Sequence, residues 1–240
     1  MAGEARIKAE PIAQAMEKLV GAVILFGPPG AGKGTQAREI GKRMKVPHIS
    51  TGEMFREQIA AGTDIGRQAQ DIMGRGDLVP DELVNQLVNR RLEQPDCRRG
   101  FVLDGYPRTR VQGEALDRWL SRTNGAGGPV PVVVCNLVVG YNEIIRRTAG
   151  RRVCPRCGTN YNVHLKPPRQ DSLCDLDGTP LKTRPDDREE SVRERLQAYE
   201  RQSRPVLDYF RERGWPVHDV DAAAPPDEVR EQLLKVVHGV

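Results

Sequence analysis

The chain has 240 residues, 38% of them hydrophobic and 29% charged, enough apolar material to bury a core and too much for wholesale disorder. A formal charge of +4 suits a protein that handles phosphates, but it is too mild to make a nucleic-acid platform. No stretch has the apolar length of a membrane span, and Glu4, Glu10 and Glu17 argue against a signal or transit peptide in the first twenty residues. The expectation is a cytoplasmic protein with neither a nucleic-acid nor a membrane partner.

Residues 1–20 read as a short extension with a helical pattern from Ile12 to Val20. Ala22–Phe26 is the first predicted strand, and Ala37, Ile40 and Met44 mark the helix that follows. Val46–Ile49 is the second strand. Residues 50–79 then show short amphipathic helical pieces broken at Gly62, Gly66, Gly74 and Gly76. Pro80, Asp81 and Glu82 open a helix carrying Leu83, Val84, Leu87 and Val88. Further strands are predicted at Phe101–Asp104, Val130–Val139 and Pro216–Val220. Residues 150–187 hold three of the five cysteines and several prolines without a long helical pattern, and no internal repeat is visible. The alternation predicts an α/β fold of the P-loop NTPase type, a five-stranded parallel sheet with helices on both faces. Its core comprises 21–49, 80–149 and 188–240, with insertions at 50–79 and 150–187.

Between the first strand and its helix stands Gly27-Pro-Pro-Gly-Ala-Gly-Lys-Gly-Thr35. A glycine-rich backbone in that position can turn its N–H groups toward an anion, and the helix N-terminus adds favourable partial charge. Gly30, Ala31, Gly32, Lys33, Gly34 and Thr35 are therefore candidate phosphate ligands, with Lys33 reaching the β- and γ-phosphates. The strict P-loop pattern places Ser or Thr directly after the lysine, whereas here Gly34 precedes Thr35.

This loop resembles that of the nucleoside monophosphate kinases, and later segments narrow the resemblance to the adenylate kinase family. His48-Ile-Ser-Thr-Gly-Glu-Met-Phe-Arg56 is similar to the start of that family's AMP-binding insertion, and Gly100-Phe-Val-Leu-Asp-Gly-Tyr-Pro-Arg-Thr109 with Gln112 to its second signature. Gly150-Arg-Arg-Val153 and Arg184-Pro-Asp-Asp187 resemble the two ends of its lid. The resemblance implies phosphoryl transfer between ATP and AMP, forming ADP, by a monomer using Mg²⁺. Residues 50–79 become the AMP-binding insertion and 150–187 the lid.

By resemblance, Lys33, Arg108, Arg147, Arg151, Arg184 and Arg195 are the catalytic cations. Bidentate guanidinium suits phosphate oxygens. Arg56 and Arg108 fall to the AMP phosphate, and Arg147 and Arg151 to the ATP side with Asn160, Tyr161 and Ala224. Arg184 and Arg195 arrive with the lid and reach the AMP side as well. Thr51, the backbone of Asp77, Leu78 and Val79, and Gly105, Tyr106, Pro107 and Gln112 complete the AMP site. An amide such as Gln112 can pair with adenine's donor–acceptor edge. Asp104 ends a strand beside the phosphate loop, where it can hold Mg²⁺ through water. Glu53 is a second candidate for that water network. A phosphate oxygen is already a nucleophile, so no general base is assigned.

Cys154-Pro-Arg-Cys157 and Cys174-Asp-Leu-Asp177 give C-x2-C, a sixteen-residue gap, then C-x2-D. Paired short spacings of this kind build a closed four-ligand site for structural Zn²⁺. Asp175 and His164 are rival fourth ligands, His164 lying in an alternating segment that reads as a surface strand. Cys97 and Cys135 read as packing residues. Two alternatives to an adenylate kinase are a kinase for UMP or CMP and a zinc-ribbon binding module. Against the second stand the acidic residues of the cysteine segment and an aromatic content of 5%.

Overall fold

The computed structural model describes residues 21–123 and 130–239, so the helical pattern read at Ile12–Val20 lies outside the described residues. Strand β1 (Gly21–Phe26) is central and buried along its whole length. Parallel strands β2 (His48–Ser50), β3 (Gly100–Asp104), β4 (Val132–Val138) and β7 (Val217–Asp221) join it in the order β2-β3-β1-β4-β7. Alternate residues of β1 face opposite sides, as the pleat dictates. Ala22, Ile24 and Phe26 pack on one face, while Val23 and Leu25 pack on the other. Both faces are covered, which is why β1 reads as a continuous apolar run.

Helix α1 (Lys33–Met44) follows β1 and turns Ala37, Ile40 and Met44 into the second core. It ends where Lys45 adopts φ 55°, and a Cβ on Gly41 would stand 2.9 Å from the Val46 carbonyl oxygen, so the exit turn needs glycine there. Helices α4 (Asp81–Leu92) and α5 (Arg110–Thr123) serve the opposite face. Asp81 and Glu82 occupy the first turn of α4, where the helix dipole favours acidic groups.

Residues 50–79 fold differently from the broken pieces expected. They form two full helices, α2 (Thr51–Ala60) and α3 (Asp64–Arg75), with Gly66 and Gly74 inside α3. Gly66 is a packing residue: a Cβ there would lie 2.2 Å from the Gln58 carbonyl oxygen. Thr63 caps α3 by accepting from Gly66 N–H at 3.0 Å, and Gly76 closes it at φ 92°.

After β4, helix α6 (Tyr141–Ala149) leads out of the sheet. Strands β5 (Arg151–Val153) and β6 (Asn160–Asn162) then pair antiparallel. His164 lies beyond β6, in a turn rather than a strand. The segment also contains a short repeat that the sequence reading missed. Cys154 N–H bonds Thr159 O and Gly158 N–H bonds Cys154 O, while Cys174 N–H bonds Thr179 O and Gly178 N–H bonds Cys174 O, all at 2.9–3.0 Å. Cys-Pro-Arg-Cys-Gly-Thr and Cys-Asp-Leu-Asp-Gly-Thr are thus two copies of one knuckle, each turned by a glycine near φ 70°.

Helix α7 (Glu189–Ala198) returns to the sheet and passes through a π-helical turn, Tyr199–Ser203, into α8 (Val206–Glu212). Helix α9 (Pro226–His238) packs on α1 and closes the second core.

Candidate active site

The loop between β1 and α1 wraps around Lys33, whose Nζ donates to the carbonyls of Gly27 and Pro28 at 2.8 Å each. Gly30 and Gly32 adopt φ 81° and 93°, conformations that expose backbone N–H groups and are open to glycine. At the neighbouring strand end, Asp104 is almost covered. A Cβ on Gly34 would stand 3.1 Å from its Oδ2, which gives Gly34 a physical reason: it leaves that carboxylate face clear. His48 Nε2 lies 3.5 Å from the same oxygen, within ion-pair range but without hydrogen-bond alignment. Burial pushes the Asp104 carboxyl up, yet His48 and Lys33 beside it win and hold it down at about 2.

Five arginines from separate elements gather around this pair. Burial lowers Lys33 to about 7 despite Asp104, and Arg108, Arg195 and Arg151 push in the same direction. Arg184 is lowered to about 9 by burial and then by Arg151 and Arg56. Arg195 falls to about 10, again chiefly through burial, although Asp186 opposes the shift. Arg108 is lowered by burial, with Asp104 opposing and Arg56 reinforcing. Buried like charges repel strongly, so these six cations form one electrostatic unit in need of anions. Asp186 and Asp187 supply part of that need. Arg195 Nη1 donates to Asp186 Oδ2 at 2.9 Å, and Arg151 Nε donates to Asp187 Oδ2 at 2.7 Å. Arg184 Nη2 donates to Asn160 Oδ1 at 2.7 Å, whereas its buried Nε has no partner.

A pocket lined by Thr51, Phe55, Leu78, Val79, Gly105 and Gln112 lies beyond Arg108. It joins the phosphate-loop cleft, because Leu78, Gly105 and Arg108 line both. Thr51 Oγ1 donates to Gly105 O at 2.9 Å, and Arg56 folds over Gly52. Asp77 turns its side chain toward Arg75 at the surface, leaving its backbone to the pocket.

Other predicted residues stand apart. Arg147 pairs with Glu143 at 2.7 Å and approaches Ala223 O at 3.5 Å, outside the cationic cluster and next to Ala224. Tyr106 buries its ring in the core and donates its hydroxyl to Asn85, so Pro107 and the backbone are what it offers the cleft. Tyr161 likewise packs inward against Cys154 and Cys174. Glu53 is taken by an ion pair with Arg38. His48, Asp186 and Asp187 went unassigned in the sequence, since an aspartate after an arginine looks like any solvated pair.

In the two knuckles, one ligand atom from each of Cys154, Cys157, Cys174 and Asp177 lies within 4.8 Å of all the others. The Cys157 and Cys174 sulfurs are 3.5 Å apart, near the ~3.8 Å edge of a tetrahedron with zinc–sulfur bonds of about 2.3 Å. Three thiols and a carboxylate suit zinc in both number and softness. The rivals fall away: Asp175 accepts from Arg169 N–H at 2.8 Å, and His164 is not among the gathered ligands. Thr179 donates to Asp177 and holds it below the usual carboxylate range. Cys97 and Cys135 are buried far from this group, and burial pushes their thiols up to about 11 and about 12.

The family model for adenylate kinase matches residues 25–215. The chain belongs to the adenylate kinase family. It is 45% identical over 217 residues to an adenylate kinase of Caldanaerobacter subterraneus subsp. tengcongensis, an alignment covering 90% of this chain and 96% of that one. An adenylate kinase of Methanocella arvoryzae is 47% identical over 214 residues, covering 89% and 97% of the two chains. One of Moorella thermoacetica is 50% identical over 192 residues, covering 80% and 87%. The five-stranded parallel sheet is the adenylate kinase fold, with the phosphate loop at the carboxyl ends of its strands, where open α/β sheets place ligands. No described helix is long and apolar enough to cross a membrane.

Proposed function

We propose that this chain transfers a phosphoryl group reversibly between ATP and AMP, giving two ADP, and so balances the adenine nucleotides. One observation carries the proposal: Lys33 and five arginines from separate elements converge between a phosphate loop and a second, largely apolar pocket. That arrangement fits two polyanions meeting end to end. The phosphates neutralise a cluster whose mutual repulsion is already in place, and the unpartnered Arg184 Nε offers one further donor.

In the reaction a phosphate oxygen of AMP attacks the γ-phosphorus of ATP. The new O–P bond forms as the bond from the γ-phosphorus to the β–γ bridging oxygen breaks, and that oxygen leaves with the electron pair on ADP. Arg56 and Arg108 would hold the AMP phosphate, and Lys33, Arg151, Arg184 and Arg195 would stabilise charge on the transferring group. Arg147, Asn160 and Ala224 would flank the ATP side, with Arg147 acting away from the reacting phosphates. Asp104 would hold Mg²⁺ through water, and the ion would supply charge neutralisation to the phosphates. Asp104 fits that role as a buried carboxylate kept ionised beside an open glycine.

Residues 50–79 would serve as the AMP-binding insertion and 150–187 as a lid over a core of 21–49, 80–149 and 188–240. Zn²⁺ on Cys154, Cys157, Cys174 and Asp177 would stiffen the lid, leaving no open position for chemistry. The reading is completed by a cytoplasmic monomer.

Steady-state assay with ATP or GTP as donor against AMP, UMP, CMP and GMP tests the reading. AMP should be preferred strongly. Comparable turnover of UMP or CMP would defeat the adenylate assignment while leaving a nucleoside monophosphate kinase.

A further inference from the structure

Gln112 is 2% exposed, and both ends of its amide are committed. Its Oε1 accepts from Arg108 N–H at 2.8 Å, and its Nε2 donates to Asp81 Oδ1 at 2.7 Å. Neither partner is ambiguous. A backbone N–H can only donate, and an ionised carboxylate can only accept. Turning the amide end for end would set NH₂ against N–H and carbonyl oxygen against carboxylate. One N–H of Nε2 and one lone pair of Oε1 are left over, in a residue that lines the acceptor pocket.

We propose that Asp81 is a specificity-determining positioning residue that locks the Gln112 amide in the polarity required by a 6-amino purine. The proposal rests on the AMP-acceptor reading of this pocket and deepens it. Adenine presents an acceptor at N1 beside a donor at its 6-amino group, matching the locked amide. A 6-oxo purine such as hypoxanthine or guanine presents N1–H beside a carbonyl oxygen, the opposite polarity. In the same pose it meets donor with donor and acceptor with acceptor, and a buried mismatch of that kind is costly. Asp81 makes the discrimination without touching the base.

Asp81 also sits in the first turn of α4, where any acidic group helps the helix, so the test must separate the two roles. Asp81→Asn offers Gln112 either a donor or an acceptor and so removes one of the two unambiguous partners, leaving Arg108 N–H to hold the amide alone. Glu82→Gln removes the same charge from the same helical turn at an exposed position and serves as the control. The readout is the ratio of kcat/KM for AMP to that for IMP, together with KM for ATP and Tm. In Asp81→Asn the ratio should fall by about tenfold, the scale of one buried hydrogen-bond pairing. The loss should appear in KM for AMP, with KM for ATP unchanged. Glu82→Gln should keep the wild-type ratio.

A ratio within twofold of wild type in Asp81→Asn, or an equal fall in Glu82→Gln, overturns the lock. If Asp81→Asn fails to fold, Asp81→Ser is read in the same way, since serine also suits a helix start and can donate or accept. A wild-type enzyme that does not prefer AMP defeats the underlying acceptor reading instead, and the two failures are separately visible.

Discussion

Arg151 and Asp187 join the first strand after α6 to the turn that leads into α7. The pair is bidentate, with Arg151 Nε 2.7 Å from Asp187 Oδ2 and Nη2 on Oδ1, and the Asp187 side chain is wholly inaccessible. The two ends of the 150–187 segment are thereby fixed together, and Arg151 is held within the cationic cluster. Asp187→Asn leaves a buried guanidinium without its counter-ion. Stability should fall by about 3 kcal/mol, the cost of removing one member of a buried pair. Thermal melting of the ligand-free protein measures it, and saturating nucleotide should recover part of the loss by supplying other anions.

Lys33→Met separates function from stability. Turnover should fall by at least ~100-fold, as when one preorganised charge stabiliser is removed. Ligand-free stability should rise. The folded-state value of Lys33 is about 7 against 10.5 when unfolded, so the folded protein binds fewer protons between those limits. Its burial penalty is complete below pH 7 and fades as pH rises toward 10.5. The gain from Lys33→Met should follow that course, largest near pH 6 and absent above pH 11. The 3.5-unit difference sets an upper limit of about 5 kcal/mol. Water reaching the half-buried side chain reduces it. Denaturant titrations at pH 6, 8.5 and 10.5 give the comparison.

Gly76→Ala tests how the acceptor pocket is held against the returning helix. Gly76 ends α3 at φ 92°, and an added Cβ would stand 2.6 Å from the Ser191 carbonyl oxygen and 2.9 Å from Arg195 Cγ. Ser191 Oγ already bonds Gly74 O across this contact at 3.0 Å. The alanine should cost about 1 kcal/mol for its left-handed backbone and more for the displaced helix. Leu78 and Val79 follow within three residues, so KM for AMP should rise well beyond KM for ATP. Equal changes in both would show that α3 does not position the pocket.

The core elements were legible because local chemistry and burial agreed. Continuous apolar runs such as Ala22–Phe26 can lie only in a sheet covered on both faces, and the glycine loop after it has one natural place. Residues 50–79 misled because Gly66 looks like a helix breaker, whereas its missing Cβ lets α3 approach α2. The knuckle repeat escaped because Cys-Pro-Arg-Cys-Gly-Thr and Cys-Asp-Leu-Asp-Gly-Thr share three of six positions, and one of the three differences falls on a proposed ligand. Arg147 is assigned by the same resemblance as Arg151, yet its place on α6 turns it toward Glu143 and the loop after β7. Partners supplied from distant segments, such as Asp81 for Gln112 or Asp187 for Arg151, leave no local trace at all.

The metal knuckle gives the prediction most open to refutation. Freshly purified protein should carry about one Zn²⁺ per chain, the stoichiometry of a single four-ligand site. Cys154 and Cys174 are buried, and Tyr161 with Leu181 is the apolar support packed around them, too small a cluster to order 38 residues by burial alone. Cys157→Ser should therefore lower Tm and weaken metal retention, because binding free energy at such a site is folding free energy. Asp177→Ala should act the same way but more mildly, since the three thiolates remain. Both variants should keep most of their activity at low temperature, as the knuckle stands apart from the cationic cluster and reaches the core through Arg38, which donates to Gly158 O at 3.4 Å. Elemental analysis, chelator titration and melting curves measure these effects. Protein that contains no metal when purified without chelator removes the site. Immediate loss of turnover on chelation, with the melting transition intact, would instead give zinc a part in the chemistry.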